Sequence, residues 1–236
     1  MAGQMVKFPS NGGEGQGYLA VPTSGTGPGV VVIQEWWGLN KNIKNVADRL
    51  SAEGYVALAP DLYHGEEAKE PGTAQKLMMA MKMDQAAKDM SGAVDYLQQH
   101  QGVAPKKVGS VGFCLGGGLS LFLATLKPVD AAVSYYGVLP GAQPDFSKLQ
   151  GAVLGHYAEN DDFASPESAR ALEKQLKDMG KDVEMHIYPG TTHAFSHELF
   201  DSDLTPEETG MPVRYSEDAA QTAWERTLAF FKKHLS

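Results

Sequence analysis

Short apolar runs alternate with amphipathic segments along most of the chain. Residues 29–34 form a continuous apolar, β-branched run, the kind found in strands that are buried on both faces. In residues 40–52 the apolar positions recur at i, i+3, i+4 and i+7, which indicates one buried helix face. Further strands are predicted at 55–59, 107–112, 131–136, 152–157 and 183–188, and further helices at 73–99, 115–126, 165–180 and from 216 onward.

This alternation predicts an α/β fold with one mostly parallel sheet and helices on both faces. No linker, internal repeat or low-complexity tract divides the sequence, so we expect a single domain over residues 1–236. Two long connections, 138–150 and 190–215, interrupt the pattern, and long loops in a compact domain are often functional. Ligands of open parallel sheets bind beyond the carboxyl ends of the strands, so we expect the site there.

Composition and charge narrow the possible partners. The 236 residues carry a formal net charge of −9, which disfavours nucleic acid and anionic membranes. A chain of this length buries roughly 70% of its unfolded surface and needs no disulfide or metal ion to fold. Its one cysteine could form no internal disulfide and no multi-cysteine metal site. With no secretory signal and no window of about 18 uninterrupted apolar residues, we expect a cytoplasmic protein, which we take to be a monomer.

A candidate nucleophile stands between a predicted strand and a predicted helix. The segment Gly112-Phe113-Cys114-Leu115-Gly116 has a glycine two residues before and two residues after Cys114. Such a turn holds the nucleophile in a strained conformation, and its flanking residues must be small. The helix would direct its free N–H groups and positive dipole end at the sulfur. The alternative is an inert buried thiol, but pattern and context together favour a nucleophile.

A base and an orienting acid also have candidates directly after predicted strands. Glu159-Asn160-Asp161-Asp162 follows the strand 152–157, and His193 follows the strand 183–188. The order nucleophile, acid, histidine is the one that α/β-hydrolases use. The other six histidines lack this combination of strand end and loop. Alignment of the motif favours Asp161 over Asp162, whereas the residues alone leave both open.

Six short segments of the chain are informative when they are taken together. They are Gln34-Glu35 followed by aromatic residues, Pro60-Asp61-Leu62-Tyr63, Gly112 to Gly117, Tyr135-Tyr136-Gly137-Val138, Asn160-Asp161 and His193-Ala194-Phe195. Together they resemble the dienelactone hydrolase family over nearly the whole chain. The resemblance implies an α/β-hydrolase fold with a triad of Cys114, His193 and Asp161. It also implies hydrolysis of carboxylic ester or lactone bonds in a small-molecule substrate, without a cofactor or metal ion.

The resemblance extends to residues around the triad. The Cys114 thiolate would attack the carbonyl and form a thioester, while backbone N–H groups of Leu115 and Trp36 stabilise the oxyanion. Glu35 would contact the resting thiol and take part in activating it. A carboxylate beside a thiol opposes thiolate formation, and it can accept the thiol proton when substrate binding rearranges the site. The alternative is that Glu35 is a surface residue after a strand. The predicted substrate contacts are Trp37, Tyr136 and His197.

Two other functions are compatible with a cysteine on such a turn. Amidases of the glutamine amidotransferase kind pair the cysteine with a His-x-Glu unit, whereas His193 is followed by Ala194 and Phe195. A non-catalytic binding module usually lacks a member of the triad, and none is missing here. Five methionines in the predicted helix 73–99 are better explained as its packed face than as a ligand pocket: Met78, Met79, Met81, Met83 and Met90.

The chain departs from the family where a substrate carboxylate would bind. Family members hold this group with arginines, one of them four residues after the catalytic histidine, where this chain has His197. Residues 66–83, where another would be expected, contain lysines but no arginine. We therefore expect a weaker preference for dienelactone over uncharged lactones than a member with both arginines shows. The preference should grow as pH falls if His197 makes the contact, unless Arg214 in the loop after His193 replaces it.

Overall fold

One sheet of eight strands runs through the computed structural model, which describes residues 3–10, 13–139, 141, 144–197 and 213–236. The strands are β1 Gln4–Ser10, β2 Gly13–Ala20, β3 Gly27–Ile33, β4 Val56–Pro60, β5 Val103–Phe113, β6 Ala131–Tyr135, β7 Ala152–Asn160 and β8 Val183–Thr192. They lie in the order β1-β2-β4-β3-β5-β6-β7-β8. β2 pairs antiparallel with β1 and with β4, and the other five pairs are parallel. The predicted mostly parallel sheet is confirmed.

Helices cover both faces of this sheet, as predicted. They are α1 Lys41–Ala52, α2 Pro71–Ala80, α3 Met83–Gln99, α4 Leu115–Leu126, α5 Pro166–Asp178 and α6 Glu217–Leu235, with a short 3-10 turn at Phe146–Lys148. α1 and α6 pack on one face, where Ile43 and Phe231 are fully buried. α3 and α4 pack on the other face, where Met90 and Leu119 are fully buried. The sheet therefore has an apolar core on each side.

The stretch predicted to be helical over 73–99 is helical except at Met81 and Lys82, which divide it into α2 and α3. Met81 and Lys82 separate them in an extended conformation, with ψ of 122° and 114°. Neither residue type breaks helices by itself. The two helices instead have different packing partners, since Ala74 of α2 packs with Trp37 whereas Met90 of α3 packs on the sheet. Tertiary contacts decide the boundary here.

The methionines of this stretch pack mainly as an apolar face. Met90 is fully buried, and Met78, Met81 and Met83 pack against the same core from partly buried positions. Met79 is the exception, with 76% of its surface exposed. The packed-face explanation therefore holds for four of the five.

The hydrophobic pattern does not predict β1 and β2. In β1 only Phe8 and Ser10 are buried, so the strand has little apolar periodicity. The sequence between the two strands contains Asn11-Gly12, a dipeptide typical of hairpin turns. That dipeptide is the sequence signal for this pair of strands.

Two strands extend further toward their carboxyl ends than predicted. β7 continues to Asn160 and β8 to Thr192, and these two residues are paired. The pattern ends earlier because the added residues are mostly polar, although backbone pairing continues. Asp161 and His193 consequently follow their strands directly. Of the predicted connection 190–215, residues 198–212 lie outside the described residues.

Candidate active site

Cys114, Asp161 and His193 each follow a parallel strand, and they come together at the carboxyl edge of the sheet. Nδ1 of His193 lies 2.7 Å from Oδ2 of Asp161, and the same imidazole forms a hydrogen bond with the Cys114 sulfur. Asp161 and His193 are buried, whereas Cys114 is partly exposed. A small molecule can therefore reach the sulfur while the carboxylate–imidazole pair is shielded from water.

Cys114 occupies a strained turn between β5 and α4. Its φ of 54° and ψ of −119° form a backbone conformation that residues other than glycine seldom adopt. The Cys114 N–H donates to the Tyr135 carbonyl at 3.0 Å, and the Cys114 carbonyl accepts from the N–H groups of Gly117 and Val138 at 2.9 and 3.0 Å. Strain of this kind persists only where the surroundings fix it, and it is concentrated at functional sites.

The strand and the helix approach too closely for side chains at two flanking glycines. A Cβ atom at Gly112 would lie 1.9 Å from the Gly116 carbonyl oxygen. A Cβ atom at Gly116 would lie 2.4 Å from the carbonyl oxygens of both Ile33 and Gln34. Close packing of the turn against β3 and α4 is thus the reason for both glycines.

Hydrogen bonds fix the charges of the buried pair. Burial opposes protonation of His193, but its hydrogen bonds to Asp161 and to the Cys114 sulfur outweigh burial and raise the pKa of His193 to about 10. Burial likewise opposes ionisation of Asp161, and hydrogen bonds from His193, Ala164 and Phe163 outweigh it and lower the pKa of Asp161. At neutral pH the pair is therefore an imidazolium beside a carboxylate.

Asp161, and not Asp162, is the carboxylate that meets His193. Its Oδ1 accepts from the backbone N–H groups of Phe163 and Ala164 at 2.8 and 2.9 Å, which leaves Oδ2 for the imidazole. Asp162 is exposed. The geometry resolves the choice that the residues alone left open.

Glu35 is buried just beyond β3 and has two polar partners. Its Oε2 lies 3.1 Å from Nδ1 of His197 and 3.4 Å from Nδ2 of Asn42. Glu35 and His197 are both nearly inaccessible to solvent, so the alternative of a surface residue is wrong. Burial first, and then the charge of Glu35, raises the pKa of the Tyr136 hydroxyl well above its ordinary value. His197, predicted to contact substrate, contacts Glu35.

The loop after β3 is held from two sides. The Gly38 N–H donates to the Glu35 carbonyl at 3.3 Å, and the Tyr63 hydroxyl donates to the Trp36 carbonyl at 3.1 Å. Because a trans peptide directs its C=O and N–H in opposite directions, the first of these bonds fixes where the Trp36 N–H points. Leu115 is the first residue of α4, and an N–H at that position has no partner within its helix.

Aromatic rings surround His193. The ring of Tyr136 lies 5.0 Å from the imidazole, and its hydroxyl is 2.9 Å from that of Ser196. Phe163 meets the imidazole edge-on at 5.4 Å and is 53% exposed. Trp37, predicted to contact substrate, is instead buried in a separate apolar cluster against α2.

Three contacts of the site are missing from the sequence prediction: Asn42, Tyr63 and Phe163. Phe163 stands two residues after Asp161, so its place in that loop is a usable signal. Tyr63 belongs to the Pro60–Tyr63 family segment. The sequence contains no signal for the contact of Asn42, because only the packing of α1 against β3 brings this residue to Glu35.

The described residues contain neither a grouped set of metal-ligand side chains nor a membrane-spanning helix. There, no three histidine, cysteine, aspartate or glutamate side chains are grouped to hold a metal ion. No helix in the described ranges is long and apolar enough to cross a bilayer.

The chain is similar to known proteins over nearly its whole length. A family model described as the dienelactone hydrolase family matches residues 16–235. Protein usf of Aquifex pyrophilus is 40% identical, with 99% of this chain and 100% of that protein covered. A protein of Aquifex aeolicus, provisionally named carboxymethylenebutenolidase, is 36% identical with 99% of each chain covered. A crystal structure from Klebsiella pneumoniae, provisionally named dienelactone hydrolase, has a TM-score of 0.82 and 28% identity, covering 99% of this chain and 100% of that one.

Proposed function

Because the chain belongs to the dienelactone hydrolase family and is a hydrolase of that kind, we propose that Cys114 is its nucleophile and that it cleaves carboxylic ester or lactone bonds through a thioester. His193 and Asp161 complete the triad. The observation that carries the proposal is the hydrogen-bonded series from Asp161 through His193 to the Cys114 sulfur. The strained turn at Cys114 and its partial exposure support it further.

The first half of the reaction transfers the acyl group to sulfur. As substrate binds, the Cys114 thiol gives its proton to Glu35; the resulting thiolate forms a C–S bond to the carbonyl carbon, and the π electron pair moves to the carbonyl oxygen. The N–H groups of Leu115 and Trp36 stabilise this oxyanion. When the oxyanion collapses, the C–O bond to the alcohol breaks, and the departing alkoxide takes the proton of His193. In a lactone the alkoxide stays within the same molecule, so the ring opens.

The second half releases the acid. His193, now neutral, takes a proton from a water molecule as that water attacks the thioester carbonyl. The C–S bond breaks, the electron pair returns to sulfur, the carboxylic acid leaves, and the sulfur recovers its proton from Glu35. Asp161 holds the imidazole in one orientation throughout, because its other oxygen is fixed by two backbone N–H groups. One ester and one water give one acid and one alcohol, with no cofactor or metal ion required.

Glu35 controls the charge of the sulfur in this proposal. Its negative charge opposes formation of a second negative charge on Cys114 before substrate arrives. The hydrogen bond from Asn42 and the contact with His197 hold the carboxylate in place. The substrate is a small-molecule ester or lactone, and we propose that the enzyme acts as a cytoplasmic monomer.

The amidase alternative is less well supported. The acid that meets His193 comes from the loop after β7, so the site lacks the His-x-Glu unit of that class. Turnover of glutamine without turnover of esters would nevertheless favour it. The absence of both activities in the folded protein would favour a binding module.

The test is hydrolysis of p-nitrophenyl acetate and of an uncharged lactone by the wild type and by Cys114→Ala. We expect the variant to keep its circular dichroism spectrum and to lose at least roughly 1000-fold in kcat/KM. Because Cys114 is the one cysteine of the chain, rapid acid quenching of wild type with p-nitrophenyl acetate should trap one acetyl group at that residue. Normal turnover by folded Cys114→Ala, or acylation elsewhere, would contradict the proposal.

A further inference from the structure

Phe163 is a large apolar side chain that stands exposed beside the imidazole of the proposed triad. Its ring meets that of His193 edge-on, with the ring centroids 5.4 Å apart, and 53% of its surface is open to solvent. The ring of Tyr136 lies at a similar distance from the imidazole, 5.0 Å, but it is fully buried. Of these two rings, Phe163 is therefore the one with surface left for another molecule.

The backbone of Phe163 is fixed with respect to the triad. Its N–H donates to Oδ1 of Asp161 at 2.8 Å, and the N–H of Ala164 donates to the same oxygen at 2.9 Å. Oδ2 of that carboxylate lies 2.7 Å from Nδ1 of His193. Because main-chain atoms make the bond that holds Phe163, a change of its side chain leaves the partners of Asp161 in place.

The proposed chemistry determines which part of a substrate comes near this ring. Asp161 occupies Nδ1 of His193, so Nε2 is the nitrogen that exchanges protons with the reacting groups. In the first half of the reaction, the departing alcohol oxygen must lie within about 3 Å of that nitrogen. The acyl carbon is bound to the sulfur at the same time. The alcohol portion of the substrate is therefore the part that lies beside the imidazole and its exposed neighbour.

The distance between the two rings suits a contact with a flat apolar group. Aromatic rings attract one another at centroid separations of about 4.5–7 Å, and Phe163 and His193 already lie in this range. A ring joined to the departing oxygen would lie next to the imidazole and could reach the open surface of Phe163. Such a contact would also remove exposed apolar surface from water, which is favourable.

We propose that Phe163 is a specificity-determining residue that contacts the alcohol portion of the substrate and favours esters of aromatic alcohols. This inference rests on the proposed function, because it uses the proton transfer from His193 to the departing oxygen. The phenyl side chain forms and breaks no bond. Its effect is on the choice of alcohol and not on the presence of hydrolysis.

The experiment compares kcat/KM for phenyl acetate and vinyl acetate. Phenol and the enol released from vinyl acetate are similar in acidity, so the two esters are similarly activated. Both transfer the same acetyl group to Cys114, so the phenyl-to-vinyl ratio reports the alcohol portion. In Phe163→Ala this ratio should fall about fivefold, because the aromatic contact is lost.

Three further variants control for the change of side chain. Phe163→Tyr retains a ring and should keep the phenyl-to-vinyl ratio within about twofold of wild type. Asp162→Ala is the matched control at the neighbouring exposed position and should leave the ratio unchanged. Phe163→Leu removes the ring but keeps apolar volume, and it should lower the ratio in the same direction. It provides a second test if thermal melting shows that Phe163→Ala does not fold.

Phenyl acetate and phenyl butyrate differ only in the acyl portion, and their ratio should be the same in wild type and Phe163→Ala. Any general loss from greater access of water to the imidazole lowers every kcat/KM and cancels in these ratios. An unchanged phenyl-to-vinyl ratio in a folded variant without the ring would overturn the inference, as would an equally large change in the acyl ratio. Absence of hydrolysis of all three esters by wild type would instead overturn the proposed function, and the role of Phe163 with it.

Discussion

Asp161 and Asp162 are neighbouring carboxylates in very different surroundings, and this difference gives a sharp test at the scale of single residues. Asp161 is buried against His193 and Asp162 is exposed. We predict that Asp161→Asn lowers kcat by roughly 100-fold or more, because the imidazole loses the partner that orients it and stabilises its charge. Asp162→Asn is the matched control and should change kcat less than about threefold.

The two variants are compared by steady-state kinetics with an activated ester. Equal melting temperatures would show that any loss lies in the reaction and not in folding. A larger loss in Asp162→Asn would move the orienting acid by one residue and leave the cysteine chemistry intact.

The order of each strand and its following loop could be predicted from the sequence, and with it the proximity of Cys114, Asp161 and His193, although β7 and β8 extend further than predicted. Each side chain follows a run of apolar residues, and parallel strands share one carboxyl edge. The partners of Glu35 could not be predicted. Asn42 reaches it from α1 and His197 from the loop after β8, and only the packing of these elements brings them together.

At the scale of elements, the contact between β5 and α4 depends on Gly112. An alanine there would place its Cβ 1.9 Å from the Gly116 carbonyl oxygen, so the helix would have to move. We predict that Gly112→Ala lowers the free energy of unfolding by roughly 3 kcal/mol or more. Gly25→Ala is the control, because Gly25 has a φ of 78° but nothing within 4 Å of its Cβ position. It should cost about 1 kcal/mol from backbone strain alone.

Urea denaturation of both variants measures the difference. If the two alanine variants were equally stable, the close approach of strand and helix would not constrain this turn. Activity should also fall in Gly112→Ala and remain in Gly25→Ala, which lies far along the chain from the triad.

The elements that the sequence predicts well are those with strong apolar periodicity. The prediction for α4, residues 115–126, agrees with the structure at both ends. Hydrophobic periodicity does not predict the break between α2 and α3, because Met81 and Lys82 are both compatible with a helix. Periodicity does not predict β1 and β2 for a different reason: they carry few buried apolar residues and gain their stability from strand pairing.

A buried polar network joins α6 to three strands and affects the whole molecule. The Thr227 hydroxyl donates to the Ala223 carbonyl at 2.9 Å, so toward other partners it can only accept. It accepts from the Tyr135 hydroxyl at 2.7 Å and from Nε2 of His156 at 3.1 Å. His156 therefore carries its proton on Nε2, and its Nδ1 accepts from the Tyr188 hydroxyl at 2.8 Å. This network leaves no place for a second proton on the ring.

The network predicts a loss of stability in mild acid. Burial, and then the charges of His186 and Arg226, lower the pKa of His156 well below its ordinary value. The unfolded chain binds a proton at this residue below about pH 6.5 and the folded chain does not, so stability falls as pH falls through that value. The slope from this one group approaches about 1.4 kcal/mol per pH unit. His156→Gln keeps a donor and an acceptor but cannot titrate, so urea denaturation between about pH 7 and pH 5 should show a flatter dependence. An unchanged slope would contradict this assignment.

The distribution of arginines over the molecule bears on the choice of substrate. Arg49 lies over Trp224, Arg226 lies over the Tyr188 ring, and Arg170 is 3.7 Å from Glu167 on the surface of α5. Arg214 lies beside the end of β8 that precedes His193, since its backbone N–H donates to the Thr192 hydroxyl at 2.9 Å. Its side chain is exposed.

The site consequently offers little positive charge to a substrate carboxylate. The carboxylate would have to compete with Glu35 for His197, and the net charge of −9 adds long-range repulsion.

Loss of a charge-assisted contact costs about 1.5–3 kcal/mol, or roughly 10- to 150-fold in kcat/KM. We therefore predict that dienelactone is preferred over an uncharged lactone by less than in a family member with two such arginines. His197 is the remaining candidate for the contact, so His197→Ala should lower this preference. The measurement is the ratio of kcat/KM for the two substrates in wild type, His197→Ala and Arg214→Ala. A strong preference that survives in His197→Ala and disappears in Arg214→Ala would show that Arg214 holds the carboxylate instead.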